Sequence, residues 1–522
     1  MTDARGAPAR VTRRTFLGGA AALTSTAIVL GAPWVAAADA VEPTVPPLFT
    51  LGVASGDPTP DGVVLWTRLA PDPVALDGRG GMGKRPVLVG WQVAEDPGFR
   101  RVVAGGTVVA RAEDAHSVHV EVAGLRPAAD HWYRFRAGPQ FSPVGRTRTA
   151  PAPGARVDRF ALAIASCQSL PDGYYNAYAA MVRDDDLDLV AWLGDYIYES
   201  AATGIPGRGH LPARETWSLA DYRVRHGQYR TDPDLQAAHA AYAWAITLDD
   251  HDVENNWAGD VSQVDDEPDQ DPAVFRARRA GAFRAFWEHM PLRWAQRPQG
   301  SAMLVHRRLT FGDLLDVHLL DTRQYRSDQD APHAGDPSRT ILGAAQRAWL
   351  WGGLAGPTAR WNVLAQQVFF SPRDLDPGPA VDIDDDSWDD YAAERDALRD
   401  HLVVARTANP VIVTGDVHAH HACDVHADPR DLASPVVATE LVTTSISSGG
   451  DGGEHAPGDD AMLAANPHIR FVDRRRGYVR NTVTPAGWQA DFRIVDEVST
   501  RGAPARTAQT VDIPVREQLR PL

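Results

Sequence analysis

The stretch Leu187-Asp188-Leu189-Val190-Ala191-Trp192-Leu193-Gly194-Asp195-Tyr196-Ile197-Tyr198-Glu199 decides how this chain is read. Leu187 to Leu193 is apolar apart from Asp188 and reads as a buried strand. The turn leaving it carries a carboxylate, Asp195, and a phenol, Tyr198, three residues apart, so both can reach one cation. Few ions favour that pair. A phenolate forms in water only when something lowers a pKa near ~10 by several units, which ferric iron does and calcium or magnesium barely do. Taken alone, a Tyr after a strand is more often a packed aromatic than a ligand.

Outward from this stretch, strands alternate with helices. Phe160–Ala165, Ala241–Leu248, Leu314–Leu320, Trp361–Phe370 and Val411–Thr414 read as strands, with helical spacing at Gly173–Arg183, Leu219–Tyr229 and near Ala344–Trp351. Such alternation predicts an α/β fold of layered sheets flanked by helices, with sites at the strand ends. Before it, Gly62–Arg68, Val87–Ala94, Arg101–Val109, Ser117–Val122 and His131–Ala137 are short strands with turn signals between them. Gly124-Leu125-Arg126-Pro127 leading into Tyr133-Arg134-Phe135 resembles a fibronectin-type sandwich. The expected organisation is a small all-β sandwich over 46–149, a linker at Pro151–Gly154, and an α/β domain over 156–510. Trp488–Val495 reads as a late strand of the sheet.

Three further clusters follow predicted strands. Ser166-Cys167-Gln168 places a thiol at a strand end: a small buried hydrophobe, half of a disulfide with Cys423, or a thiolate ligand. Asp249-Asp250-His251-Asp252-Val253-Glu254-Asn255-Asn256 packs four carboxylates, an imidazole and two amides into one short segment, an electrostatically poor arrangement unless cations sit among the oxygens. Gly415-Asp416-Val417-His418 ends a β-branched strand. Together they describe a multinuclear metal site. Asp195 can bridge two ions, and Tyr198 and Cys167 suit the harder, more oxidised one. Asp249 or Asp250, Asn256, Asp416 and His418 suit divalent ions. Two such ions clamp an oxyanion and support in-line displacement at phosphorus. Arg323, after the run Val317–Leu320, reads as a phosphate clamp or as a structural partner of Asp321. The acidic loop Asp382–Asp390 reads as solvated surface or as a calcium-linked element, and Ser447–Gly453 as a surface loop or a lid.

Compartment and partners come from the ends of the sequence and its charge. Thr12-Arg13-Arg14-Thr15-Phe16-Leu17, the weakly apolar Gly18–Leu30 and Ala36-Ala37-Ala38 read as a twin-arginine export signal over 1–38. The expectation is a secreted or cell-envelope protein that meets the twin-arginine machinery, has no transmembrane anchor and is a monomer. The net charge of -16, more negative once the arginines of the leader are removed, argues against nucleic acid as a standing partner.

The chain resembles the PhoD-type alkaline phosphatases and phosphodiesterases, whose site is similar to that of purple acid phosphatases. The residues carrying the resemblance are Gly52–Pro58, Val64–Arg68, Ser166–Gln168, Gly194–Tyr198, Asp249–Asp252 with Asn255–Trp257, Asp321–Tyr325 and Gly415–His418. The resemblance implies Fe3+ held by Cys167, Asp195 and Tyr198, and Ca2+ held by Asp195, Asp249 or Asp250, Asn256, Asp416 and His418. Asp195, Arg323 and His418 are expected closest to the chemistry, and the resemblance implies a metal-bound hydroxide or oxide attacking a phosphate ester. Phospholipase D activity is the alternative. It ranks lower because neither lining segment, Tyr196–Leu219 or Asn256–Gly281, shows an amphipathic helix with basic flanks. A calcium-binding adhesive protein is the alternative from another class, and a thiolate, a phenol and His418 speak against it.

Overall fold

Six parallel strands whose carboxyl ends share one rim form the centre of the protein. A computed structural model describes residues 46–184, 186–330, 333–356, 359–376, 378 and 381–516, so the expected export segment lies outside the described residues. Phe160–Ala165, Leu189–Trp192 and Ala243–Ile246 run parallel in a nine-stranded sheet, and Leu315–Leu319, Trp361–Ala365 and Pro410–Thr414 run parallel in a seven-stranded sheet. Registers align their ends: Trp192 lies opposite both Ala165 and Ile246, and Ala365 opposite both Leu319 and Val413.

Alternation along the strands explains the layering. Phe160, Leu162 and Ile164 meet Leu315, Val317, Leu319, Val363 and Val411 between the two sheets, while Ala161, Ala163 and Ala165 face the helices outside. Leu364 and Ile412 form the outer face of the second sheet, beneath the helices Gly343–Leu354 and Ala392–Val404. At the rim, Gln367 donates to Thr247 Oγ1 at 2.7 Å and to the Leu320 carbonyl at 2.9 Å, tying one sheet to the other where the site begins.

The N-terminal region is all-β, and one of its two layers is continuous with the central sheet. Val53–Thr59 pairs in parallel with Ala243–Ile246 and carries Gly62–Arg68 and Ser117–Val122 as further strands of the nine-stranded sheet. Val53, Leu65 and Val120 then face Val89, Val93, Tyr133 and Phe135 of a separate five-stranded sheet. At the other end, Gly487–Val495 lies between Gly477–Val483 and Ala505–Pro514 in the same nine-stranded sheet.

One expectation needs correction. The segment Asn256–Gly281, read as a loop without periodicity, contains the start of an 18-residue helix, Pro272–His289, with Asp271 as its cap and Pro272 in its first turn. Its apolar stripe is hard to see because the helix is buried on several faces, and Arg278 is buried against Glu254 and Asp269. Among the described residues no helix is long and apolar enough to cross a membrane.

Because Val53–Thr59 covers the edge of Ala243–Ile246, a chain beginning at residue 156 will bare a hydrophobic sheet edge. It is expected to accumulate as aggregates, whereas the chain from residue 46 onward gives a soluble protein with a cooperative melt. Size-exclusion chromatography and thermal melting of the two check this.

Candidate metal centre

The turns that follow four of the six rim strands carry donor residues on an unusual backbone. Cys167, Asp195, Asn256, Asp416 and His418 all adopt left-handed conformations, with φ of 60°, 58°, 51°, 64° and 53°. Non-glycine residues avoid this region, and such outliers gather where a site requires them. The turns are held from below. Cys167 N–H donates to the Gly194 carbonyl at 3.1 Å, and Gln168 N–H to the Asp195 carbonyl at 3.1 Å. Asp252 accepts from the backbone N–H groups of Asp195 (3.2 Å), Tyr196 (3.1 Å) and Asp249 (3.0 Å), joining two of the rim turns through one carboxylate. Arg476 donates to the His418 carbonyl at 2.8 Å and to Ser445 Oγ at 2.7 Å, fixing the fourth turn.

The side chains form three cation-sized groups. Ligand atoms of Cys167, Asp195 and His418 lie within 4.8 Å of one another, as do those of Asp195, Asp250 and His251, and those of Asp249, Asp250 and Asp416. Asp195 and Asp250 each belong to two groups, so the three are linked into one chain. Tyr198 joins the first: its Oη donates to Asp195 Oδ2 at 3.0 Å and lies 3.1 Å from His418 Nε2. Asn256, exposed at the mouth, donates its backbone N–H to Asp250 Oδ2 at 2.8 Å.

The donor set fits cations. Asp195 Oδ1, Asp249 Oδ2 and Asp250 Oδ1 are buried and have no hydrogen-bond partner, an expensive arrangement for carboxylate oxygens unless positive charge sits against them. Burial, then the neighbouring carboxylates, pushes Asp195 and Asp416 well above the ordinary range. Asp249 is pushed up to about 7 by burial even though Arg323 opposes the shift, and Asp252 to about 8 by burial. Asp250 moves the other way: Arg323, His251 and the Asn256 N–H outweigh its burial and hold it below the usual range. Burial and the Asp195 charge also raise the Cys167 thiol and the Tyr198 phenol. The protein alone therefore favours the protonated forms of Asp195, Asp416, Cys167 and Tyr198, and cations would ionise them. Burial and Arg476 lower His418 to about 3, leaving the neutral imidazole that a metal ligand requires. Burial would also lower His251, but Glu199, Asp250 and Asp195 prevail and raise it; its Nδ1 lies 2.8 Å from Glu199 Oε2 and its ring 4.2 Å from that of Tyr198.

Comparison with known proteins bears directly on this arrangement. The PhoD-like phosphatase family model matches residues 162–492, and the model of the PhoD-like phosphatase N-terminal domain matches residues 35–151. The chain belongs to the PhoD-like phosphatase family. It is 47% identical over 472 residues to alkaline phosphatase D of Bacillus subtilis, covering 88% of this chain and 79% of that protein. A solved structure of PhoD superposes with a TM-score of 0.86 at 45% identity, covering 91% of this chain and 92% of that one. The yellow lupin purple acid phosphatase PPD1 shares the fold, with a TM-score of 0.52 at 12% identity over 89% of this chain and 73% of its own. As a member of this family the protein is an enzyme, a phosphoric ester hydrolase.

Within this PhoD-like centre the structure brings together Cys167, Asp195, Tyr198, Asp249, Asp250, Asp416 and His418, with Asn256 at the rim. Both Asp249 and Asp250 face the cluster. Arg323 is fully buried and faces carboxylates on every side. Nε donates to Asp249 Oδ1 at 2.6 Å, Nη1 and Nη2 donate to Asp386 at 2.6 and 2.7 Å, and Nη2 lies 3.5 Å from Asp250 Oδ1. This fork holds carboxylates, and its contact with Asp321 runs from the Arg323 backbone N–H instead. The acidic loop is correspondingly not all surface, since Asp386 is buried inside it. Ser447 and Ser448 are buried, and their N–H groups turn to the Cys167 carbonyl, so this part of the glycine-rich stretch is a wall of the site. Cys167 and Cys423 are both free, the latter packed against Phe369, Val442 and Met462. Asp252, Asp386, Arg476 and the Glu199–His251 pair are the site residues that the sequence reading passed over as functional groups.

Two outcomes follow. A Cβ on Gly194, whose φ is 112°, would lie 2.3 Å from Asp249 Cβ; Gly194→Ala should destabilise the protein by about 3 kcal/mol in urea melts. Asp249 and Asp252 have folded pKa values raised above their unfolded ones, so in the metal-free protein they cost stability as pH rises from their ordinary range through about 7 and 8. Metal-free protein should melt lower at pH 8 than at pH 6, and added metal should close the gap.

Proposed function

We propose that this PhoD-like chain is a secreted, metal-dependent hydrolase of phosphate mono- and diesters that uses Fe3+ and Ca2+. The observation that carries the reading is the chain of three linked donor groups in which three buried carboxylate oxygens accept no hydrogen bond. Cys167, Asp195 and Tyr198 supply a thiolate, a carboxylate and a phenolate, the set that suits ferric iron. Asp249, Asp250, Asp416 and Asn256 supply only oxygen donors if the amide turns its carbonyl inward, which suits calcium. His418 adds an imidazole next to Tyr198. When bound, such ions polarise phosphoryl oxygens and activate water.

The residues of the chain do the rest. Asp195 and Asp250, each shared by two groups, fix the spacing between neighbouring sites, and the left-handed turns keep the donors aimed at one point on the rim. Asp416, His418, His251 and Asn256 are the partly or fully accessible members and face the side from which an ester arrives. Neutral His418 is free of competing protons across the working pH range of an alkaline phosphatase. The twin-arginine motif at Arg13-Arg14 supports export after folding, with metals loaded inside the cell.

Protein purified without chelator should contain iron and calcium and show a visible band that Tyr198→Phe abolishes; an unchanged band removes Tyr198 from the iron. Asp195→Asn should lower kcat/KM on p-nitrophenyl phosphate and on bis-p-nitrophenyl phosphate by roughly 1000-fold, about 4 kcal/mol of transition-state stabilisation. Wild-type protein loaded with iron and calcium yet inactive on both esters would overturn the reading.

A further inference from the structure

Asp386 is the carboxylate on which Arg323 spends most of its hydrogen-bonding capacity. It comes from the segment that follows the strand Trp361–Ala365, 63 residues on from Arg323, and it is buried. It takes both terminal nitrogens of Arg323 in a fork-to-fork contact, at 2.6 and 2.7 Å. It also accepts from Arg326 Nη1 at 2.6 Å and from Gln329 Nε2 at 3.0 Å, and its own N–H is anchored on Asp384 Oδ1 at 3.1 Å. Three groups therefore pin Asp386 besides Arg323.

The consequence lies on the other side of the guanidinium. With its fork committed to Asp386, Arg323 offers only Nε to Asp249 Oδ1 at 2.6 Å, and stands off Asp250 Oδ1 at 3.5 Å. Asp249 Oδ2 and Asp250 Oδ1 are left buried and without a hydrogen-bond partner, and these carboxylates share a cation-sized group with Asp416. A guanidinium released from Asp386 would have Asp249 and Asp250 as its nearest anions and would turn its fork onto them. It would then occupy the oxygens that a cation needs and add a positive charge beside them.

We infer that Asp386 is a positioning residue that diverts Arg323 from the paired carboxylates Asp249 and Asp250 and so keeps their oxygens free for calcium. The inference rests on the metal reading above. It explains why a fully buried arginine stands within a cluster meant for cations without abolishing it: a dedicated anion absorbs its fork. Arg326, which shares Asp386 and also donates to the Thr322 carbonyl at 2.5 Å, holds that anion in place.

The test is calcium titration by isothermal calorimetry into full-length, iron-containing protein freed of calcium, comparing wild type, Asp386→Asn and Arg326→Gln. Asparagine can accept only one of the two N–H bonds. Loss of such supporting contacts commonly weakens metal binding by roughly 10- to 100-fold, so that is the change in calcium Kd expected for Asp386→Asn. A smaller change in the same direction is expected for Arg326→Gln. The visible iron band should stay as in the wild type, because Arg323 touches none of Cys167, Asp195 or Tyr198, and saturating calcium should restore kcat. Calcium Kd values within twofold of wild type for both variants, or a loss of kcat that calcium does not restore, would overturn the inference. Wild-type protein that takes up no calcium would instead count against the metal reading on which it rests.

Discussion

The constraint on which this structure depends is repulsion among carboxylates that the fold has removed from water. Asp195, Asp249, Asp250 and Asp416 converge at one rim, and three of their oxygens accept no hydrogen bond. Burial first, and the neighbouring charges second, keep such carboxylates from all ionising on their own, and the raised pKa values of Asp195, Asp249 and Asp416 express that cost. A single guanidinium, Arg323, is too little to balance them, particularly since Asp386 takes most of it. The site is therefore an arrangement made for cations, and the energy that binding them releases is available to hold the strained turns in place.

The two-sheet architecture makes this concentration of charge possible. Parallel strands on both sheets end along a shared rim, and four of the turns beyond them present the donors. The sheets below are sealed by an apolar layer, and the turns are cross-linked by Asp252, Gln367 and Arg476. Rigidity comes from the scaffold and chemistry from the turns, as in other α/β proteins whose sites lie at the carboxyl ends of the strands.

Much of this was legible in the sequence, for definite reasons. Apolar runs such as Phe160–Ala165 and Leu189–Trp192 end in Cys167 and Asp195, and a buried strand followed by a polar turn leaves little choice of class. Gly62–Arg68, Val87–Ala94 and Ser117–Val122 occupy the residues expected of them, because alternation and turn residues define half-buried strands sharply. What the sequence hid was partnership. Asp386 lies among five other aspartates between Asp382 and Asp390, and nothing local distinguishes the one that reaches Arg323 across sixty residues. The helix Pro272–His289 was hidden because arginines buried by ion pairs break the apolar stripe. The continuity of the N-terminal strands with the central sheet was invisible too, since parallel pairing of Ser55 with Ala243 leaves no local mark. Choosing between Asp249 and Asp250 needed the turn geometry, which sets oxygens of both beside Asp416.

The most direct test of the central claim is anomalous diffraction across the iron edge, with a second data set sensitive to calcium, on crystals of protein purified without chelator. The account predicts an iron peak within bonding distance of Cys167 Sγ, Tyr198 Oη and an Asp195 oxygen, and a calcium peak among Asp249, Asp250 and Asp416. No anomalous peak at the rim, with Tyr198 still hydrogen-bonded to Asp195 as a neutral phenol, would contradict it.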